Sequence, residues 1–280
     1  MNANWQPKML AIKDWLDSSS QQLSKLGIKS SKLDVEMILS HTLRKPRTYL
    51  HAHPEEQLSD RQKEIADARL DLRLERVPVA YIIGHRDFYG RHFKVTPATL
   101  IPRPESEDLI DITKEIIQKN ELDNANLIDV GTGSGCLGIT LNLEIPTLKV
   151  TLLDISNQAL MVAKKNASLL GATVDTLRSD LLKSYPLKPG IVVANLPYVD
   201  KTWERSPETN HEPELALFAK NNGKDLIFKL IDQASSVIAS NGILILEADT
   251  YQHEEIKNYA KSVGFEFIKT KGYTLGFSKT

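Results

Sequence analysis

Apolar residues recur every three to four positions from Pro7 to about Glu75: Met9, Ile12 and Leu16, then Leu23 and Leu26, then Val35, Ile38, Leu39 and Leu43. That period places apolar side chains on one stripe of a helix. The spacing predicts several helices packed as a small bundle. Two start signals support the register. Ser31 lies three residues before Asp34, and Ser59 three before Gln62. Both match a capping box, in which the two side chains satisfy backbone N–H groups left free by the first turn. Gly27 punctuates the first helix pair, and Pro46 and Pro54 bracket a His-rich connector.

From Val77 to Pro104 the texture changes. Tyr81-Ile82-Ile83-Gly84, Phe88-Tyr89-Gly90 and Phe93-Lys94-Val95 are short aromatic and β-branched runs cut by glycines, the pattern of a β-hairpin linker. After Ser106, a helix carrying Leu109, Ile112 and Ile116 leads into apolar runs that alternate with helical segments. The runs are Leu127–Val130, Val150–Asp154, Val174–Leu177, Ile191–Ala194 and Ile243–Leu246. Alternation of this kind builds a parallel sheet covered by helices on both faces. Phe265–Ile268 and Tyr273–Leu275, joined by a Lys/Gly segment, predict a closing antiparallel pair. The expected organisation is therefore a helical domain over 1–76, a hairpin linker over 77–104 and an α/β domain over 105–280.

Composition narrows the class. The chain has 280 residues, 41% hydrophobic and 25% charged, which is globular in character. Thirty-five Lys+Arg against 36 Asp+Glu leave a formal charge of -1, so the bulk electrostatics do not call for stable nucleic-acid binding or an anionic membrane. No apolar run approaches the roughly 18 residues of a membrane span, and the first residues lack the apolar core of a secretory signal. A single cysteine, Cys136, supplies neither an internal disulfide nor a thiolate metal cluster. A cytoplasmic protein is expected.

Candidate chemistry gathers at the ends of the apolar runs. Asp129-Val130-Gly131-Thr132-Gly133-Ser134-Gly135 stands where a strand meets a helix. Its glycines allow close backbone approach to a ligand, and the helix start offers free N–H groups. Residues 133–138, GSGCLG, also fit the dinucleotide pattern, so this loop alone does not separate a nicotinamide site from an adenosylmethionine site. Asp154 ends the next run at a spacing suited to accepting both ribose hydroxyls, or to capping the helix that follows. Asp180 ends the third strand region, within reach of an adenine amine. Asn195-Leu196-Pro197-Tyr198 combines an amide at a strand's carboxyl end, a turn-fixing proline and an aromatic face, which together suit a planar NH2 group.

Several segments agree in order with one family. Pro78–Gly84, Leu100-Ile101-Pro102-Arg103-Pro104-Glu105-Ser106-Glu107, the DVGTGSG loop, Asp154-Ile155-Ser156, the NLPY tetrapeptide and Glu212-Pro213-Glu214-Leu215-Ala216-Leu217 resemble the HemK/PrmC family of protein-glutamine methyltransferases. The resemblance implies a Rossmann-like class I methyltransferase fold with a helical N-terminal domain that helps hold a protein substrate. It implies S-adenosylmethionine as donor, S-adenosylhomocysteine as product, and methylation of the glutamine amide in the Gly-Gly-Gln motif of class I peptide chain release factors. Carried over, Asp129 and Gly131, Thr132, Gly133, Ser134 and Gly135 hold the methionine part of the donor. Asp154 takes the ribose, and Asp180 and Leu181 lie near the adenine. Asn195, Leu196, Pro197 and Tyr198 clamp the substrate amide, with Asn195, Pro197 and Tyr198 catalytic and Asn195 also beside the donor. Arg103 and Glu105 line the substrate side. A monomer and no resident metal are expected.

Two positions depart from the family pattern. Leu196 replaces the usual first proline of N-P-P-Y, giving the N-L-P-Y form also found in ribosomal RNA adenine dimethyltransferases. The tail around Lys271-Gly272-Tyr273 lacks the usual acidic residue and arginine. Two other readings stay open: a nucleic-acid adenine methyltransferase, and a non-catalytic adenosylmethionine-binding module. A nicotinamide-linked oxidoreductase rests on GSGCLG alone. His41, His51 and His53 with Arg44, Lys45 and Arg47 read as a solvated surface, Cys136 as a packing residue, and Trp5, Trp15 and Trp203 as packing anchors.

Overall fold

A computed structural model of the chain describes residues 10–280, so Trp5, Pro7 and Met9 lie outside the described residues. It divides into two compact units, Met1–Gly84 with Pro207–His211, and His85–Ser206 with Glu212–Thr280. The first is helical: α1 (Ile12–Lys25), α2 (Ser31–Leu43), α3 (Arg47–Ala52), α4 (Asp60–Leu74) and α5 (Val79–Ile83). Ile12, Trp15 and Leu23 of α1 meet Val35, Ile38 and Leu39 of α2 and Ala66 and Leu70 of α4 in one core, the stripes expected from the period. Trp15 is fully buried, with its indole N–H donating to Asp67 at 2.8 Å.

The capping box at Ser59 and Gln62 is present with both reciprocal bonds. At α2 the expected box is not formed. Ser30 holds the cap position without a side-chain cap bond, and donates to Asp34 Oδ2 at 3.0 Å. The reason is that Asp34 turns inward to Arg73, whose Nε lies 2.7 Å away, with both side chains under 10% exposed. The same guanidinium donates to Glu208 at 3.0 Å. The His-rich connector is largely helical, because Pro46 at the N-cap of α3 has no N–H to leave unpaired. Tyr81–Ile83 are helical too, against the hairpin expectation. Pro78 and a left-handed Gly84 bound α5, and Val79 and Ile82 pack on the helical core. Burial at helical spacing overrides β-branched propensity here.

In the second unit a hairpin, β1 (His85–Phe88) and β2 (Arg91–Lys94), buries Phe88 and Phe93 edge to face at 6.1 Å. There follow α6 (Glu107–Asn120), β3 (Asn126–Val130), α7 (Cys136–Glu144), β4 (Lys149–Asp154), α8 (Asn157–Leu170), β5 (Val174–Arg178) and β6 (Ile191–Ala194). The chain ends with α9 (Glu214–Leu217), α10 (Asp225–Val237), β7 (Ile243–Glu247), α11 (His253–Ser262), β8 (Phe265–Lys271) and β9 (Thr274–Lys279).

The seven strands lie in the order β5-β4-β3-β6-β7-β9-β8, parallel except for β9, which pairs antiparallel with both β7 and β8. Alternate residues feed two cores. Ile128, Val130, Val192 and Leu244 pack with α10 and α11 on one face. Leu127, Val150, Val193 and Ile245 pack with α6, α7 and α8 on the other. Strands buried on both faces explain the continuous apolar runs. Among the described residues no helix is long and apolar enough to cross a membrane.

Removing Asp34 leaves the buried Arg73 guanidinium with Glu208 as its remaining counter-charge and its Nε unpaired. Asp34→Ala is expected to destabilise that unit by about 3–5 kcal/mol, measured by chemical denaturation. A loss below about 1 kcal/mol, the scale of a surface pair, would show that solvent or Glu208 compensates Arg73.

Candidate active site

The sheet ladder aligns the candidate residues. Leu153 pairs with Val130, Val130 with Ala194, and Ala194 with Leu246. The next residue on each strand therefore falls on one row at the carboxyl edge: Asp154, Gly131, Asn195 and Glu247. Connections leave in opposite directions on the two sides of β3, which makes the crevice between β3 and β6 the place where open α/β sheets bind ligands.

The glycine loop is built from beneath. Asp129 is buried, and its Oδ2 accepts from Thr132 Oγ1 at 2.6 Å and from the Gly138 N–H at 2.9 Å. Its Oδ1 is buried with no hydrogen-bond partner. Burial pushes this carboxyl up to about 6, against the pull of Thr132 and Gly138. Gly131 has φ +71, and a Cβ there would stand 2.8 Å from Leu196 Cδ2, so the two loops touch through a position that only glycine fills. Gly135 serves packing instead. A Cβ there would meet Ile139 at 2.5 Å and Ala163 at 3.3 Å.

Asp154 Oδ2 accepts from the Gly133 N–H at 2.9 Å and Oδ1 from the Ser156 N–H at 2.8 Å. It braces the loop and does not cap α8, where Ser156 accepts from Ala159. Burial raises its pKa, with those N–H groups holding it back.

A cavity of about 370 Å³ opens over this edge, within the size range of small-ligand sites. Of the candidate residues, Arg103, Gly131, Thr132, Gly133, Ser134, Asp154, Asp180, Leu181, Asn195 and Leu196 line it. Asp129, Gly135, Glu105, Pro197 and Tyr198 are not among its lining residues. Leu181 holds φ +54, a sparsely populated conformation for a leucine. The Asp180 carboxylate is engaged by Lys183 at 2.5 Å and Lys229 at 3.3 Å, which lower its pKa. Cys136 also lines the cavity. Desolvation pushes its thiol up to about 12, so it is an inert packing group.

Asn195 Nδ2 donates to Ser106 Oγ at 2.9 Å. Ser106 Oγ in turn donates to Glu247 Oε2 at 2.6 Å, and the Tyr198 hydroxyl donates to Glu247 Oε1 at 3.0 Å. Burial raises the Glu247 carboxyl and these two hydroxyls lower it. Burial also raises the Tyr198 phenol, with Glu247 adding to the effect. Glu247 was not a candidate from the sequence. Its signal was an acid closing a wholly apolar run, the pattern that marked Asp154. A further link joins two sequence motifs. Buried Glu212 accepts from Arg103 Nη2 at 2.5 Å and from the Ile101 N–H at 3.2 Å, which brings Pro213, Leu215 and Ala216 to the cavity wall.

Among the described residues, one set of side chains with metal-ligand chemistry lies within mutual reach. His85, Asp87 and His92 on the hairpin have donor atoms within 4.8 Å of one another, and none of them lines the cavity. The sequence-adjacent histidines do not group. His51 meets Glu36 at 3.2 Å, and His53 stacks on Tyr49 with centroids 4.0 Å apart.

Comparison with known proteins finds relatives over most of the chain. The family model described as "PrmC N-terminal domain" matches residues 14–84, and "Methyltransferase small domain" matches 106–212. The release factor glutamine methyltransferase of Koribacter versatilis is 36% identical over 247 residues, covering 85% of this chain and 86% of that protein. That of Aliivibrio fischeri is 32% identical over 267 residues, covering 94% and 93%. The chain belongs to the release factor glutamine methyltransferase family. The solved Thermus thermophilus 16S rRNA N2 G1207 methyltransferase, in complex with AdoMet and guanosine, shares the fold. It has TM-score 0.54 and 15% identity, over 70% of this chain and 49% of that one.

In this chain Leu196 is 5% exposed and belongs to the sheet core while touching the glycine loop. Its side chain thus packs the junction that the family's proline would stiffen.

The raised Asp129 pKa has a pH signature. The folded value of about 6 lies above the ordinary 3.8, so the fold favours the protonated acid. Its contribution to stability is fully present below about 4 and is lost as pH rises through 6. Asp129→Asn is expected to flatten this part of the profile of urea midpoint against pH. An unchanged slope between pH 4 and 7 would contradict the assignment.

Proposed function

We propose that this chain transfers the methyl group of S-adenosylmethionine to the side-chain amide nitrogen of the glutamine in the Gly-Gly-Gln motif of class I release factors. The observation that carries the reading is the ladder that sets Asn195 beside Gly131. An acceptor for a substrate N–H and a loop suited to the donor leave the sheet side by side. In this reading the chain works in the cytoplasm as a monomer, without stable nucleic-acid binding. Its N-terminal domain, residues 1–76, holds the protein substrate, and the hairpin belongs to a linker over 77–104 that leads into the transfer domain, 105–280.

The residues present fit the donor. Asp129 offers a buried acceptor with no partner, which suits an ammonium-bearing methionine tail reached through the loop. Asp154 lies on the cavity wall with lone pairs for a ribose diol, and Ile155 and Leu181 supply apolar surface for a base. Asp180, paired with Lys183 and Lys229, also lines the cavity and keeps lone pairs that would accept from an adenine amine. When bound, S-adenosylmethionine supplies an electrophilic methyl group on a sulfonium.

The chain's own residues position the nucleophile. Asn195 accepts an amide N–H through Oδ1, and the Leu196 carbonyl takes the other. Pro197 and Tyr198, just behind the cavity wall, would fix the backbone that carries the Leu196 carbonyl, and Arg103, with Glu105 next to it in sequence, would border the substrate side. As nitrogen gains positive character, these preset acceptors stabilise it without reorganising, confinement provides orientation, and the methylated nitrogen gives up one of its two protons to solvent as the new C–N bond replaces the methyl–sulfur bond.

Two variants separate the roles. Asn195→Ala is expected to lower transfer to a release factor by at least about 10²-fold, with donor affinity by calorimetry nearly unchanged. Asp154→Ala is expected to weaken donor binding by about tenfold or more, the loss of a charge-assisted hydrogen bond. Equal loss of binding and transfer in Asn195→Ala would make Asn195 a donor residue first.

A further inference from the structure

Glu247 ends β7, 1% exposed, bonded to two hydroxyls, with the Asn195 side-chain amide also facing it and no cation in reach of a salt bridge among the described residues. A buried carboxylate of this kind is costly unless its hydrogen bonds do something the fold needs. Its chemistry sets a direction. An ionised carboxylate only accepts. Both Ser106 and Tyr198 must therefore spend their single proton on it, at 2.6 and 3.0 Å. Ser106 Oγ then has only lone pairs to show to Asn195, 2.9 Å away. The amide must meet it with Nδ2. The flipped amide would set two lone-pair-bearing oxygens against each other at that distance. Asn195 lines the cavity, so its Oδ1 is the atom left for a ligand.

We propose that Glu247 is a positioning residue which, acting through Ser106 and on the amide NH2 itself, locks the Asn195 amide with its oxygen toward the cavity, so that the site selects substrates that present an N–H donor. Resting on the proposed function, this deepens it by explaining why the site takes an NH2 group and rejects a hydroxyl or a carboxylate. A hydroxyl has one proton and cannot serve both Asn195 and a second acceptor, and a carboxylate has none. The same carboxylate holds the Tyr198 ring through its hydroxyl, so one buried acid orients two parts of the NLPY clamp. The three residues come from distant parts of the chain, with Ser106 separated from Asn195 by 89 positions and from Glu247 by 141.

The test uses the full-length protein carrying Ser106→Ala, Ser106→Thr, Glu247→Gln and the Ser106→Ala/Glu247→Gln double change. Ser106→Ala removes the relay. Glu247→Gln keeps the shape but introduces a donor, so the polarity of the chain is no longer imposed. Each is expected to lower kcat for release factor methylation by about 10- to 100-fold, the scale of a misplaced reacting group. The KM for S-adenosylmethionine and the melting temperature are expected to stay near wild type. Ser106→Thr, which keeps Oγ, should restore most of the rate, and the double variant should be no slower than the slower single by more than about threefold, since the two act in one relay.

Multiplying losses, a kcat that does not move, or a parallel fall in donor affinity and melting temperature would each overturn the proposal. A second readout needs no substrate. In the ligand-free protein the Asn195 side-chain NH2 resonances, assigned with Asn195→Ala, should shift and exchange faster in Ser106→Ala, and no change would overturn the lock. If wild type fails to methylate a release factor while these resonances respond as expected, the substrate assignment falls and the lock stands.

Discussion

The register of the parallel sheet is the constraint on which the site depends. β3, β6 and β7 are buried on both faces. A slip of one residue would turn each buried set to the opposite core, so the pairing is strongly specified. That pairing puts Asp154, Gly131, Asn195 and Glu247 on one row. The spacing of loop, amide and acid is thus set by the hydrogen-bond ladder, and the loops inherit it. Rigid placement of this kind is what a reaction run by orientation and fixed dipoles requires.

Buried carboxylates then convert that row into fixed polarity. Asp129, Asp154 and Glu247 are all raised by burial, and each is held by nearby donors: one hydroxyl and one backbone N–H for Asp129, backbone N–H groups for Asp154, two hydroxyls and the Asn195 amide for Glu247. Asp129 and Asp154 shape the glycine loop, and Glu247 governs the clamp side. The Arg103–Glu212 pair ties the wall segments together across 109 positions. Its strength comes from the buried acid, since Glu212 is 2% exposed and Arg103 is 36% exposed. Arg103 therefore both braces the wall and faces the cavity.

Much of this was legible in the chain, for physical reasons. Strands covered on both faces read as apolar runs, and the residues that leave them at the carboxyl edge carry the chemistry, so Gly131, Asp154 and Asn195 stood out. The helical stripes of α1, α2 and α4 were equally plain. Local signals failed where tertiary contact outweighed them. Tyr81–Ile83 looked like strand because of composition, yet burial of Ala80 and Ile83 and packing of Val79 and Ile82 made a helical turn. Ser31 looked like a cap, yet Asp34 was drawn to Arg73. Ser106 and Glu247 escaped notice as functional residues because their role exists only once the register sets them next to Asn195. The lysines that occupy Asp180 are likewise a tertiary fact.

The most direct test of the account is to locate the methyl group. The full chain is incubated with labelled S-adenosylmethionine and a purified class I release factor, and the modified residue is identified by fragmentation mass spectrometry, beside a factor whose Gly-Gly-Gln glutamine is replaced. Label is expected on the side-chain amide nitrogen of that glutamine and none on the altered factor. Label on another residue, label on a nucleic-acid adenine offered in parallel, or donor binding without any transfer would contradict it.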